Sequence, residues 1–161
     1  YKKTLGKNHP STLASANNLA VLLAQTGRME EAELLFRATY DAKKKKLGDD
    51  HPSTLHSANK LAALFEDTGR MEEAETLYRA TYDARQQKLG EDHPDTLQSA
   101  GNLGNLLDKK ARELDEKGAT DPAALAQIYT EAADMRVLKY GAEHEDVVRC
   151  RKRAAELAGP K

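Results

Sequence analysis

The chain has 161 residues, enough for one compact domain or a short array of small units. Hydrophobic residues make up 39% and charged residues 32%, so a core can be buried beneath a well-solvated surface. The formal net charge of −1 removes the simplest electrostatic case for binding nucleic acid or an anionic membrane.

No apolar run approaches the roughly 20 residues that span a bilayer, so no direct membrane insertion is expected. No secretory signal is visible, and the single cysteine, Cys150, favours a reducing compartment. The expected location is therefore intracellular and cytoplasmic. Tyr1, Lys2, Lys3 and Thr4 lead into Leu5-Gly6 as the end of a helix would, so the chain reads as a piece of a longer protein.

Residues 5–46 and 47–88 agree without gaps at roughly 29 of 42 positions, which makes the repeat the main signal. A third copy opens at Leu89 with LGEDHPDTLQSAGNLGNLL and then departs from the pattern; a degenerate fourth opens at Gly141. In the first copy Leu13, Ala16, Leu19, Ala20 and Leu23 recur at helical spacing, with Pro10 at the first turn and Gly27 past the end. Met29, Ala32, Leu35, Phe36, Thr39 and Tyr40 mark the buried stripe of a second helix. Glu30 and Glu31 sit at its positive end and Lys43 to Lys46 at its negative end. The lysine run reads as a solvated helix end. Ala20 and Ala32, repeated at Ala62 and Ala74, let paired helices approach closely.

In the third copy the turn sequence GRMEEAE is replaced by DKKARELDEKGATDPAALAQIY, and the unit grows by about nine residues. The spacing predicts a first helix lengthened to near Lys117, a turn at Gly118-Ala119-Thr120, and a new helix capped by Asp121 with Pro122 at its first position. That helix runs through Ile128, Tyr129, Ala132, Ala133 and Leu138 to Tyr140-Gly141. The enlargement is either a tolerated insertion or a contact specific to this protein. The fourth unit supplies one helix, whose Arg149, Arg151, Lys152 and Arg153 suit a solvating cap.

His9, His51, His93 and His144 recur with the repeat and so cannot converge on a metal, whose ligands must lie within about 2.0–2.2 Å of it. They read as residues that open helices. Phosphate-binding loops, nucleophile elbows and metalloprotease motifs are missing from the sequence. No enzyme activity, cofactor or nucleic-acid partner is expected.

Leu19-Ala20, Leu23, Gly27, Ala32 and Phe36 match the small-and-large pattern of tetratricopeptide repeats. The longer unit, with LGxxHPxT, NNLA and GRxEEAExL, resembles the kinesin light chain-like subtype. The resemblance implies an all-α, right-handed superhelical solenoid of antiparallel hairpins. It would be a single array over 1–161, with repeats at 5–46, 47–88 and an enlarged 89–140, then a capping helix over 141–161. It further implies a concave groove lined by the first helix of each hairpin, with Leu19, Leu61 and Leu103 as matched core positions.

In such arrays the asparagines of the NNLA motif contact the backbone of an extended peptide. Asn17 and Asn59 match its first asparagine and Asn102 its second; Asn105, His56 and Gln98 lie on neighbouring turns. The expected function is a scaffold that holds a partner peptide or protein segment, neutral to mildly basic, within a larger complex. Glu66, Asp67 and Asp108 disfavour an acidic ligand. Two other readings stand beside it. One is an assembly subunit that uses its edges and the enlarged third repeat; the other is a regulatory module attached to a further domain.

Overall fold

The computed structural model describes residues 9–118 and 121–159. Among them it places seven helices and no strand: α1 (Pro10–Gln25), α2 (Met29–Leu47), α3 (Pro52–Asp67), α4 (Met71–Leu89), α5 (Pro94–Lys117), α6 (Pro122–Tyr140) and α7 (Glu145–Ala158). This is an all-α helical-repeat fold. The expected helix end at Leu5-Gly6 and the turn residues Ala119-Thr120 lie outside the described residues.

Local chemistry sets the boundaries. Nδ1 of His9, His51, His93 and His144 accepts the backbone N–H two residues on, at 3.2, 3.1, 3.1 and 3.3 Å. Each histidine thereby satisfies one of the donors a helix start leaves orphaned. Asp121 does the same for α6, its carboxylate accepting from Ala123 N–H at 3.1 Å. The α1–α2 turn closes when Arg28 N–H reaches back to the Leu23 carbonyl at 2.9 Å and Gly27 N–H to Ala24 at 3.0 Å. That pairing needs a left-handed residue, and Gly27 supplies it at φ 79°. Arg70 and Gly69 repeat the arrangement between α3 and α4.

The chain divides into two compact units, Tyr1–Leu77 and Tyr78–Lys161. In the first, Ala20, Ala32, Ala62 and Ala74 have no exposed surface, as close helix approach requires. Phe36, Leu61, Leu64 and Phe65 fill the remaining core. The Phe65 ring carries the guanidinium of Arg70 at 4.2 Å and that of Arg37 at 4.9 Å from its centroid. Arg70 also bridges Glu33 of α2 at 2.7 Å and Glu73 of α4 at 2.6 Å.

Two expectations for this unit fail. Leu61 is 2% exposed but its match Leu19 is 49% exposed, because the first hairpin covers α3 while no described residue covers the same face of α1. Lys43 is buried, not part of a solvated run: its ammonium donates to Ser57 Oγ at 2.8 Å, and burial pushes its pKa down.

In the second unit α5 packs along α6 around Leu103, Leu106, Leu107, Tyr129, Ala132 and Ala133. Gly104 makes this possible. A Cβ there would stand 2.9 Å from Arg136 Cγ and 3.1 Å from the Ala132 carbonyl oxygen, tighter than backbone and packed side chain accept. The lengthened α5 runs to Lys117 and α6 spans Pro122–Tyr140, as the sequence predicts, although Leu138 is exposed rather than buried.

Candidate interaction surface

In the first unit, α1 and α3 flank a cleft of about 240 Å³. Val21, Ala24 and Ala63 line it, buried Phe36 and Leu64 close its base, and Gln25, Lys60 and Asp67 supply the polar groups. Small-molecule sites occupy about 300–1,000 Å³, so this space suits side chains of a polypeptide.

None of the expected binding residues lines this cleft. Asn17 is buried, and its amide donates to Ser57 Oγ at 3.3 Å, the same hydroxyl that receives Lys43. Ser57 therefore ties α1, α2 and α3 together. Asn59 is half-buried, and the side-chain oxygens of both Asn17 and Asn59 are buried without a hydrogen-bond partner. His56 is exposed on α3.

In the second unit three of the expected residues share one surface of α5. Gln98 donates to Asn102 at 2.9 Å and accepts from Lys139 of α6 at 3.1 Å, while Asn105 accepts from Arg136 at 3.0 Å. Lys139 reaches Gln98 by lying across Gly101, where a side chain would collide with its stem. Sequence reasoning missed Lys139 and Arg136 as neighbours of these amides. The available signal was Gly101, which replaces the asparagine of the first two copies.

A recurring contact joins successive hairpins. Lys43 donates to Ser57 at 2.8 Å, Arg85 to Ser99 at 2.7 Å, and Arg136 to the Cys150 sulfur at 3.6 Å. Cys150 thus occupies a serine position of the repeat, and it is fully buried. Burial beside Asp108 pushes its thiol up to about 11, so it is protonated and unreactive at neutral pH.

Asp108, itself fully buried, is the centre of a charge cluster. Arg149 of α7 meets it with two hydrogen bonds at 3.0 and 2.7 Å, and Arg136 of α6 lies 3.0 Å away. Burial would raise the Asp108 pKa, but the Arg149 hydrogen bonds and the nearby guanidinium charges hold it below the ordinary carboxylate value. Two turns on, Asp115 pairs with Arg153 at 2.6 and 2.7 Å, and its pKa is lowered chiefly by that hydrogen bond.

This corrects two readings. Asp108 faces the interior between α5, α6 and α7 rather than a binding groove. The basic residues of α7 are only partly a solvating cap, since Arg149 and Arg153 fasten α7 to the lengthened α5. No group of three or more His, Cys, Asp or Glu among the described residues could hold a metal ion. No helix among them is long and apolar enough to cross a membrane.

Sequence profiles for the tetratricopeptide repeat match residues 12–53 and 53–116. The chain belongs to the tetratricopeptide-repeat superfamily. Its fold is shared with the nearly identical TPR-like repeats of a Podosopora anserina protein described as a putative kinesin light chain. A single-substitution variant of that protein aligns with TM-score 0.68 and 24% identity over 98% of this chain and 71% of that one. Another crystal structure of those repeats gives 0.62 and 22% over 97% and 79%. BtubC (BKLC) from P. vanneervenii gives 0.59 and 20% over 99% and 70%. No curated protein matches the chain. The hairpins over residues 12–116 are thus tetratricopeptide repeats, and the protein is a protein–protein interaction scaffold.

Proposed function

We propose that this tetratricopeptide array captures an extended, neutral to mildly basic segment of a partner protein on the surface formed by its first helices, and that the α1–α3 cleft is the anchor. The cleft carries the proposal. It is an apolar recess of about 240 Å³ with one cation, Lys60, and one anion, Asp67, at its rim. An apolar side chain of the partner would enter it. In the first unit Asn59 and His56 would offer amide and imidazole groups to the partner backbone, and in the second unit Gln98, Asn102 and Asn105 form an amide surface of their own on α5. Asn17 would act from beneath by holding α1 against α3, as its bond to Ser57 supports.

The enlarged third repeat has a sufficient explanation inside its own unit, because the added turns of α5 carry Asp115 to Arg153. An assembly role based on that insertion is therefore the weaker reading.

A peptide selected from a display library against the protein tests the proposal. Ala63→Glu places a charge in the cleft without touching a core residue. Affinity should fall at least about tenfold, which is about 1.4 kcal/mol. Unchanged affinity with retained helicity would overturn the assignment.

A further inference from the structure

The rim of the α1–α3 cleft carries two charges that the fold itself does not use. Lys60 and Asp67 are exposed, and neither has a hydrogen bond or ion pair among the described residues. In the same unit Arg28, Lys44 and Arg70 each hold a carboxylate within 3.2 Å. Neither rim charge belongs to the repeat. Where α3 has Lys60, α1 and α5 have Asn18 and Asn102; where it has Asp67, they have Gln25 and Lys109.

Asp67 is also set against its own helix. It is the last residue of α3, where unsatisfied carbonyls form the negative end of the dipole, and no basic residue stands in that last turn. A cation would relieve a carboxylate placed there, and no described residue supplies one. Lys60 stands two turns earlier on the same side of α3, about 10.5 Å away along the helix axis. Ala63 lies between the two charges on α3, and the recess opens there against Val21 and Ala24 of α1. The cleft therefore presents a fixed order of cation, apolar recess and anion.

We propose that the cleft selects its segment by charge order: an apolar side chain fills the recess, with an acidic residue over Lys60 on one side and a basic residue over Asp67 on the other. The inference rests on the cleft being the anchor and adds which segment it takes. Alternate side chains of an extended chain share one face, so acidic, apolar and basic residues at alternate positions span about 13 Å at about 3.3 Å per residue. The flexible stem of Lys60 and the side chains of the segment absorb the difference from the spacing along α3. Such a segment is neutral overall. Lys60 and Asp67 are thus the specificity-determining residues of this cleft, set by this chain and not by the repeat.

The test uses the peptide selected from the display library against the full chain, with Ala63→Glu as the control for the cleft. The peptide should carry an acidic and a basic residue on either side of an apolar one. Lys60→Glu and Asp67→Lys change exposed residues, the second to the residue of the third copy, so both variants should fold; circular dichroism checks that they do. Each variant turns one attraction into a repulsion, so affinity should fall about three- to tenfold at low salt and less at high salt. Changing the peptide's acidic residue to lysine should restore binding to the Lys60→Glu protein and not to the Asp67→Lys protein. Changing its basic residue to glutamate should do the reverse. This exchange identifies each contact whichever way the segment runs. Two results would overturn the charge order and leave the cleft standing: a peptide weakened by Ala63→Glu that binds both charge variants as tightly as the unaltered protein, or a rescue that does not follow this pairing. A peptide indifferent to Ala63→Glu would instead remove the cleft as the anchor, and the charge order with it.

Discussion

Removing the Asp108 carboxylate should destabilise the second unit more than any surface change of similar size. Asp108→Ala leaves Arg136, whose side chain is 6% exposed, without its 3.0 Å anion. Arg149 is better placed to adapt, because its side chain is 43% exposed and keeps Asp146 at 3.1 Å. Breaking a buried pair from one side costs about 3–5 kcal/mol, and the freedom of Arg149 points to the lower figure, about 3 kcal/mol. For a chain of this length that is a fall in melting temperature of about 6–12 °C. Replacing the pair together, with Asp108→Leu and Arg136→Met, removes the stranded charge as well and should recover most of the loss. Urea titrations followed by circular dichroism give the free energies, and hydrogen exchange should place the weakened amides in α5 to α7. A loss below about 1 kcal/mol for Asp108→Ala, or a double variant no better than the single, would refute the reasoning.

Further outcomes follow from neighbouring features. Asp108 and Asp115 have pKa values held below normal, so their stabilisation is complete above the unfolded carboxylate value of about 3.9 and is lost as pH falls through the folded values. Thermal melts should therefore be flat with respect to these groups from neutrality down to about pH 5 and drop steeply below about pH 4; a chain equally stable on both sides of that drop would contradict the pairing. Gly104→Ala should cost about 1–3 kcal/mol by forcing α5 from the α6 backbone, measured by the same titrations. Arg85→Met should cost about 1–3 kcal/mol, since Arg85 donates to the Asp95 carbonyl at 3.0 Å as well as to Ser99. Cys150 should resist a thiol reagent in the native protein and react at once in denaturant.

The helix boundaries were readable from the sequence because they depend on neighbours along the chain. A histidine before proline, a glycine after threonine and Asp121 before Pro122 each act within a few residues. The lengthened α5 was readable for the same reason, from unbroken helical spacing to Lys117. The partners of charged groups were not readable. Asp108 and Arg149 are 41 residues apart, and in the sequence alone Arg149 is one of several bases on a polar helix. Lys43 was lost within a run of four lysines, where only packing distinguishes the buried member from the solvated ones. Leu19 failed differently: its spacing is that of a core residue, but burial depends on a neighbouring hairpin that helical periodicity does not register.

The candidate surface divides along the same line. Asn59, His56 and Gln98 stand on the first helices α3 and α5, as the repeat predicts. That Asn17 would turn inward to Ser57, and that Lys139 would cross Gly101 to reach Gln98, depended on approaches between helices. Asn17→Ala consequently disturbs the α1–α3 contact together with any binding, and Ala63→Glu is the cleaner probe.

Site-specific photo-cross-linking tests the binding role most directly. A photoreactive side chain is placed at Ala63 in the cleft, and at Ala80 on α4 as an exposed control. Mass spectrometry of adducts formed in native extract should map one recurrent partner segment at Ala63, lost when the selected peptide is added in excess, with no such adduct at Ala80. Adducts at Ala80 with none at Ala63 would contradict the claim that the first-helix cleft holds the partner.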